Sequence, residues 1–333
     1  MLTLPLMLFI VLVELCAGQF AVMYLLDMRH AVKRSFLVLY AFIYFFLTLL
    51  TYLFQQGFSS AALLNTFNPL DHGWTGYLAL PLLFFLLLLI PYTIFLLMDK
   101  KAGIANDGSK PAEGEVVEEP RVTTIFVLRM ISGGLAVLAA LATLFVLGMI
   151  YRPLGGSGLG EALVVAGFFA AALALGGVMT AMWLGHWYLV TPAMTEKPLL
   201  FSTTIVLFGV LLEVIFFLAT GAQIAPAQAA TGGHATPIVV ASPTVRPSSN
   251  PTPSATVTVK PANVPTVTPL SIGAIGWLRI LVGFAMPLIL GGLAWKLVRD
   301  RSFQSATGML YLIVVCALAG EILARGLFLM GLS

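Results

Sequence analysis

Charge is what this chain has least of. Lysine, arginine, aspartate and glutamate make up 9% of its 333 residues, about a third of their share in a soluble domain. With a mean hydropathy of +1.01, that excludes a soluble globule. Cysteine is nearly absent, and Cys16 and Cys316 both fall in apolar runs. That speaks for packing and against a disulfide framework or a metal site. Period-two alternation is missing throughout, which argues against a transmembrane barrel. No phosphate-binding glycine loop, metal-ligand cluster or nucleophile triad occurs. LGGSGLGE at 154–161 follows no strand and has no basic partner, so it reads as a turn. A basic n-region is missing ahead of the first apolar run, so that run is expected to stay as an anchor and not to be removed as a signal peptide.

What is present is apolar sequence in long blocks. A hydrocarbon core about 30 Å thick needs about 20 helical residues to cross it. Eight runs meet that length, near 3–26, 35–55, 76–98, 123–150, 160–189, 200–222, 273–296 and 305–330. Backbone groups in lipid must be satisfied within their own segment, so the runs are expected to be helices. The fold class is therefore all-α, a polytopic membrane bundle of eight transmembrane helices.

Basic residues orient it. Arg29, Lys33, Arg34, Lys100, Lys101, Lys110, Arg121, Lys197, Lys296, Arg299 and Arg301 all lie in links after odd-numbered runs. The other links hold only Arg152, Arg246 and Lys260. By the positive-inside rule the odd-to-even links are cytoplasmic, and both termini are outside. The net charge of +3 thus reports topology and is no signal for nucleic acid.

Two links divide the chain. Residues 1–222 form a six-helix part with a polar cytoplasmic loop at 99–121. Residues 223–270 are a Pro/Thr/Ser-rich extracytoplasmic tract with nine of the 19 prolines, a composition that favours extended chain and builds no core. Residues 271–333 supply the last two helices. A short echo, IFVLRMISGG (125–134) against IGWLRILVGF (275–284), aligns Arg129 with Arg279 and Gly133 with Gly283. An inverted repeat of that kind occurs in transporters.

Six ionisable residues fall inside the runs: Glu14, Arg129, Glu213, Arg279, Glu321 and Arg325. Each costs roughly 2.5–3.5 kcal/mol at the centre of a lone helix, so each is expected to face the bundle interior, a partner or water. Glu321 and Arg325 stand four residues apart on one helical face, in the favourable order for a pair. By the topology, Glu321, Arg325 and Arg279 lie in the outer half, Gln55 and Gln56 end the second helix there, and Glu14 is near mid-membrane. Apolar walls with a few polar groups suit a lipophilic molecule with two polar ends, such as a quinone. A carboxylate there could take protons released on quinol oxidation. The alternative is that Arg279 and Arg325 simply clamp Glu321 between helices.

LAGEILARGLF (318–328) closely resembles the last helix of the membrane-anchor subunits of dimethyl sulfoxide reductases, with Glu321 and Arg325 on its charged positions. LPLMLFIVLVELCAGQF (4–20) is similar to that family's first helix at Ala17, Gly18 and Phe20. Polysulfide-reductase-type quinol subunits are more distant relatives. The resemblance implies a menaquinol-oxidising anchor without haem, in the cytoplasmic (inner) membrane of a prokaryote. It would pass electrons to an iron–sulfur subunit and on to a molybdopterin catalytic subunit outside. By their own chemistry and depth, Glu321 is the expected proton acceptor, with Glu14, Arg279 and Arg325 shaping the quinone site. The family's histidine at the end of helix 2 is replaced by Gln55-Gln56-Gly57, and its acid at the start of helix 3 by Asp71 and His72, which leaves Gln55, Gln56 or His72 as headgroup contacts. The competing expectation is a non-redox membrane protein, a structural anchor or a small-solute transporter.

MWLGHWYLVTP (182–192) reads as an aromatic interface belt with His186 at headgroup level. A second quinone or lipid-headgroup site and a haem ligand are the sharper readings. A bis-histidine haem needs two facing histidines in the bundle, whereas His30, His72 and His234 all lie in links.

Overall fold

The computed structural model describes residues 3–100, 102–103, 123–156, 158–191, 195–219 and 272–330. Most of the 99–121 loop and all of the 223–270 tract, with His234, Arg246 and Lys260, lie outside the described residues. Among the described residues there is no strand, only an isolated bridge between Lys33 and Gly103.

Eight helices are long and apolar enough to cross a membrane, so the chain is an all-α polytopic bundle. The first two are α1 (Thr3–Met28) and α2 (Arg34–Phe58). Two single turns, α3 (Ala61–Leu64) and α4 (His72–Thr75), precede α5 (Ala79–Met98). Then come α6 (Thr124–Tyr151), α7 (Gly158–Val190) and α8 (Lys197–Ala219). The seventh span is α9 (Ile272–Arg279), a π-helical segment (Ile280–Ala285) and α10 (Met286–Arg299) in continuous succession; α11 (Phe303–Leu329) is the eighth.

The first span is the hub. In its most apolar stretch 78% is buried, against 50% or less in every other span. Helices α2, α6, α7 and α11 surround it. The outer helices turn Phe46, Leu53, Leu138, Ile289 and Val315 outward, the face a bilayer would cover. Several threonine hydroxyls inside the spans are satisfied by carbonyls one turn back: Thr51 donates to Leu47 (2.8 Å), Thr93 to Leu89 (2.7 Å) and Thr307 to Phe303 (2.7 Å). That is how threonine is tolerated where no water is at hand.

The last two spans are remote in sequence but packed into the same bundle. α10 lies on α8, and α11 lies on α7 and α1. Small residues set the closest approaches, as expected where apolar contact with lipid competes with helix–helix contact. A Cβ at Gly176 of α7 would stand 2.0 Å from the carbonyl carbon of Gly18 in α1. A Cβ at Gly320 of α11 would stand 2.3 Å from Cα of Gly283 in the π-helical segment.

Helix ends are fastened at both faces of the bundle. Arg34 donates to the Leu97 carbonyl at the end of α5 (2.7 Å). At the opposite face, Arg152 after α6 holds Asp71 (2.8 Å), whose other oxygen caps α4. The end bearing Arg29, Lys33, Arg34, Lys100, Lys197, Lys296, Arg299 and Arg301 is called cytoplasmic below, by the rule applied above.

The Gly18–Gly176 contact makes a direct test. Gly176→Ala should destabilise the detergent-solubilised protein by about 1–3 kcal/mol, the usual penalty for overpacking. Gly292→Ala, where an added Cβ meets nothing within 4 Å, should leave the unfolding temperature unchanged or slightly raised. Equal behaviour of the two would disprove the backbone contact.

Candidate functional site: a charged cavity in the outer half

Five of the six in-span ionisable residues converge at one place. Arg325 of α11 is the centre. Its Nη2 donates to Oε1 of Glu14 on α1, its Nε lies 3.4 Å from Oε2 of the same carboxylate, and 2.7 Å from Oε1 of Glu321 one turn earlier. Glu14 is fully buried. The guanidinium also sits 4.2 Å above the Phe168 ring of α7, so both its edge and its face are used, as charge in a low-dielectric setting requires.

Arg279 approaches from the seventh span. Its guanidinium lies 5.0 Å over Phe217 and 5.3 Å over Phe284, and its Nε is buried without a hydrogen-bond partner. The π-helical segment begins at the next residue. Such segments are frequent at functional sites because they break the regular helical register. Glu213 of α8 faces the same space and, among the described residues, is in no ion pair.

Between these groups is a half-open cavity of about 140 Å³. Glu213, Arg279, Glu321 and Arg325 line its polar side; Leu163, Val164, Phe216 and Phe328 line its apolar side. Behind it, Glu213, Arg279 and Glu321 border a second void of about 10 Å³, near the size of one water molecule. Three carboxyl groups meet two guanidiniums here. One proton or one cation would balance the set.

Of the residues the sequence singled out, Glu14, Arg279, Glu321 and Arg325 are brought together. Gln55, Gln56 and His72 are not among the residues lining the cavity. Gln55 donates to the Ser59 carbonyl (3.1 Å), Gln56 donates to Gln55 (2.6 Å), and the exposed His72 ring bonds the Phe67 carbonyl (3.1 Å). Each is satisfied locally. His186 lies 3.3 Å from the Tyr311 hydroxyl, and Cys16 3.3 Å from the Thr51 hydroxyl. Glu213 was visible as a charge in an apolar run but carried no role. The aromatic faces under the arginines could not be assigned from spacing.

The sixth in-span charge, Arg129 of α6, makes a separate cluster near the cytoplasmic end. It lies 3.4 Å from Asp27 of α1 and 3.3 Å from Asp99, the C-cap of α5. The Tyr92 hydroxyl donates to Asp27 (3.0 Å), and Gly133 admits the Tyr24 and Tyr92 rings beside it. Arg129 and Asp27 are fully buried. Asp27 and Asp99 sit at span ends, where the sequence shows ordinary interface residues. The pairing that buries them depends on three helices meeting.

Compared with protein-family models, curated proteins and solved structures, the chain matches none of them.

The two clusters should respond differently to loss of their arginine. Arg129→Met takes the guanidinium away from two enclosed carboxylates and should cost about 3–5 kcal/mol, read as lost membrane accumulation and a lower unfolding temperature in detergent. Adding Asp27→Asn and Asp99→Asn should restore part of it. A stable single variant would show that Arg129 is not holding these aspartates.

Proposed function

We propose that the chain is the membrane-anchor subunit of an oxidoreductase complex, oxidising quinol in the outer half of the bilayer. Its electrons would pass to an extracytoplasmic iron–sulfur partner and on to a molybdopterin subunit. One observation carries the reading. The two stretches that resemble dimethyl sulfoxide reductase anchors, 4–20 and 318–328, meet at the cavity through Glu14 and Arg325. Four motif residues of α11 have work there: Gly320 packs on Gly283, Glu321 and Arg325 pair, and Phe328 lines the apolar side.

The residues present suit a quinol headgroup. The cavity is smaller than the roughly 300 Å³ at which sites begin to enclose a whole ligand, so it fits a polar head whose isoprenoid tail stays outside. A quinol would supply two electrons and two protons. Arg279, with a free buried N–H, would hold an oxygen of the head. Glu213, outside the ion pairs, is better placed than Glu321 to receive a proton, because Glu321 already balances Arg325. Phe216 and Phe328 would keep water from the ring. The bundle would sit in the cytoplasmic membrane of a prokaryote, with menaquinol as the natural reductant.

A second reading is that the chain has no redox role and both arginine clusters are clamps. The Asp27–Arg129–Asp99 cluster favours it, because there the same arrangement of one arginine between two acids holds helices together.

Glu213→Gln separates the two. In native membranes with quinol as donor, turnover should fall on the order of 10²-fold, the typical contribution of a general base, while the protein accumulates normally. Glu321→Gln should lower turnover as well and also weaken the hold on Arg325. Unchanged quinol-dependent turnover in Glu213→Gln would leave the clamp reading in possession.

A further inference from the structure

A second cavity, of about 350 Å³, lies at the cytoplasmic end between α1 and α8. It is far larger than the outer one and of opposite character. Arg29, His30, Thr195 and Lys197 supply its polar groups, and Leu26, Pro198 and Phe201 its apolar floor; among the described residues no acid lines it.

Its cations are held in place but not neutralised. The Arg29 guanidinium lies over the Phe201 ring, 4.0 Å from the centroid. Contact with a ring leaves a guanidinium its charge and N–H donors, the groups that bind a phosphate with two hydrogen bonds. Among the described residues Arg29 and Lys197 are in no ion pair. His30 is fixed by the chain itself. It takes a left-handed conformation (φ +47°), with its N–H on the Asp27 carbonyl (2.9 Å) and that of Ala31 on the Leu26 carbonyl (3.0 Å). These two bonds close the end of α1 in a Schellman motif. Lys197 opens α8, so the positive end of that helix dipole adds to the field.

Among the described residues, the two acids next to the cavity in sequence are engaged elsewhere, Asp27 with Arg129 (3.4 Å). Glu196 pairs with Arg301 (2.7 Å). Its carboxyl is held below the ordinary value by its own backbone N–H and then by Arg301, so it is ionised and engaged across to the end of α10. The cavity is left with a net positive rim over an apolar floor, at the depth where lipid headgroups lie.

We propose that this cavity binds a phosphate-bearing anion, the headgroup of an anionic phospholipid of the cytoplasmic leaflet. Basic pockets between spans on that side are the usual seat of such headgroups. The apolar floor and a volume beyond what a bare oxyanion requires favour a lipid over free phosphate. The assignment does not depend on the quinol reading, and its test involves no redox chemistry.

The test uses the full chain, delipidated in neutral detergent and titrated with phosphatidylglycerol or phosphatidylcholine. Native mass spectrometry and thermal unfolding report binding. Phosphatidylglycerol should bind and raise the unfolding temperature, and phosphatidylcholine should do so much less. The double variant Arg29→Gln/Lys197→Gln should bind phosphatidylglycerol roughly 30-fold more weakly. Arg299→Gln, at the same end but against Trp295, should bind it as wild type does. Competition by millimolar inorganic phosphate would support the oxyanion site with a soluble source; no competition would support the lipid. If the double variant does not fold, wild-type affinity must still fall with added salt, because these charges are exposed. Equal binding of the two lipids, equal binding by the folded double variant, or salt-independent affinity would each overturn the proposal.

Discussion

Arg325 reaches from the last helix to Glu14 on the first, and Arg129 reaches from the fourth span to Asp27 on that same first helix. A guanidinium in hydrocarbon must have its charge met, and one helix alone seldom supplies every acid it needs. Each arginine therefore draws several spans to one point. Helix α1 supplies an acid to both, at mid-membrane and at its cytoplasmic end, and this fits its position as the most enclosed span. The small-residue contacts with α7 then complete a packing whose register the two ion clusters set.

The clusters differ in what surrounds them. Around Arg129 the space is filled by Tyr24, Tyr92 and Gly133. Around Arg279 and Glu213 it is left partly open. A charged group that is enclosed and paired holds structure. One that borders a void, beside a carboxyl outside the ion pairs of the described residues, is placed to meet something else. That contrast is why the outer cluster supports a chemical role and the inner one a mechanical one.

All eight spans could be read in the sequence, because twenty apolar residues in a row have few other fates. Hydropathy also gave a depth for each charge, with Arg279, Glu321 and Arg325 in the outer half and Glu14 near the middle. It gave no azimuth. Gln55, Gln56 and His72 share the outer end of the bundle, yet Gln55 and His72 turn to nearby backbone carbonyls and Gln56 to the Gln55 side chain, since a polar group at an interface can satisfy itself nearby. Glu213 shows the reverse. Its place beside Arg279 follows from how α8 meets the seventh span, and no spacing along the chain encodes that. The partners of Arg129 were hidden for a related reason: Asp27 and Asp99 look like ordinary helix-end residues until three helices close over them.

The π-helical segment at Ile280–Ala285 has a consequence for the echo between 125–134 and 275–284. Each residue of an α-helix turns the chain by about 100°, and a π turn holds one residue more than the regular count. The two copies keep the same spacing from arginine to glycine, but they are not in the same phase. In α6 the pair is carried on regular helix. In the seventh span Gly283 falls inside the wider turn and meets Gly320. The wider turn breaks any symmetry between them without changing the spacing along the chain. It separates an arginine that locks helices together in α6 from one that fronts an open space in the seventh span.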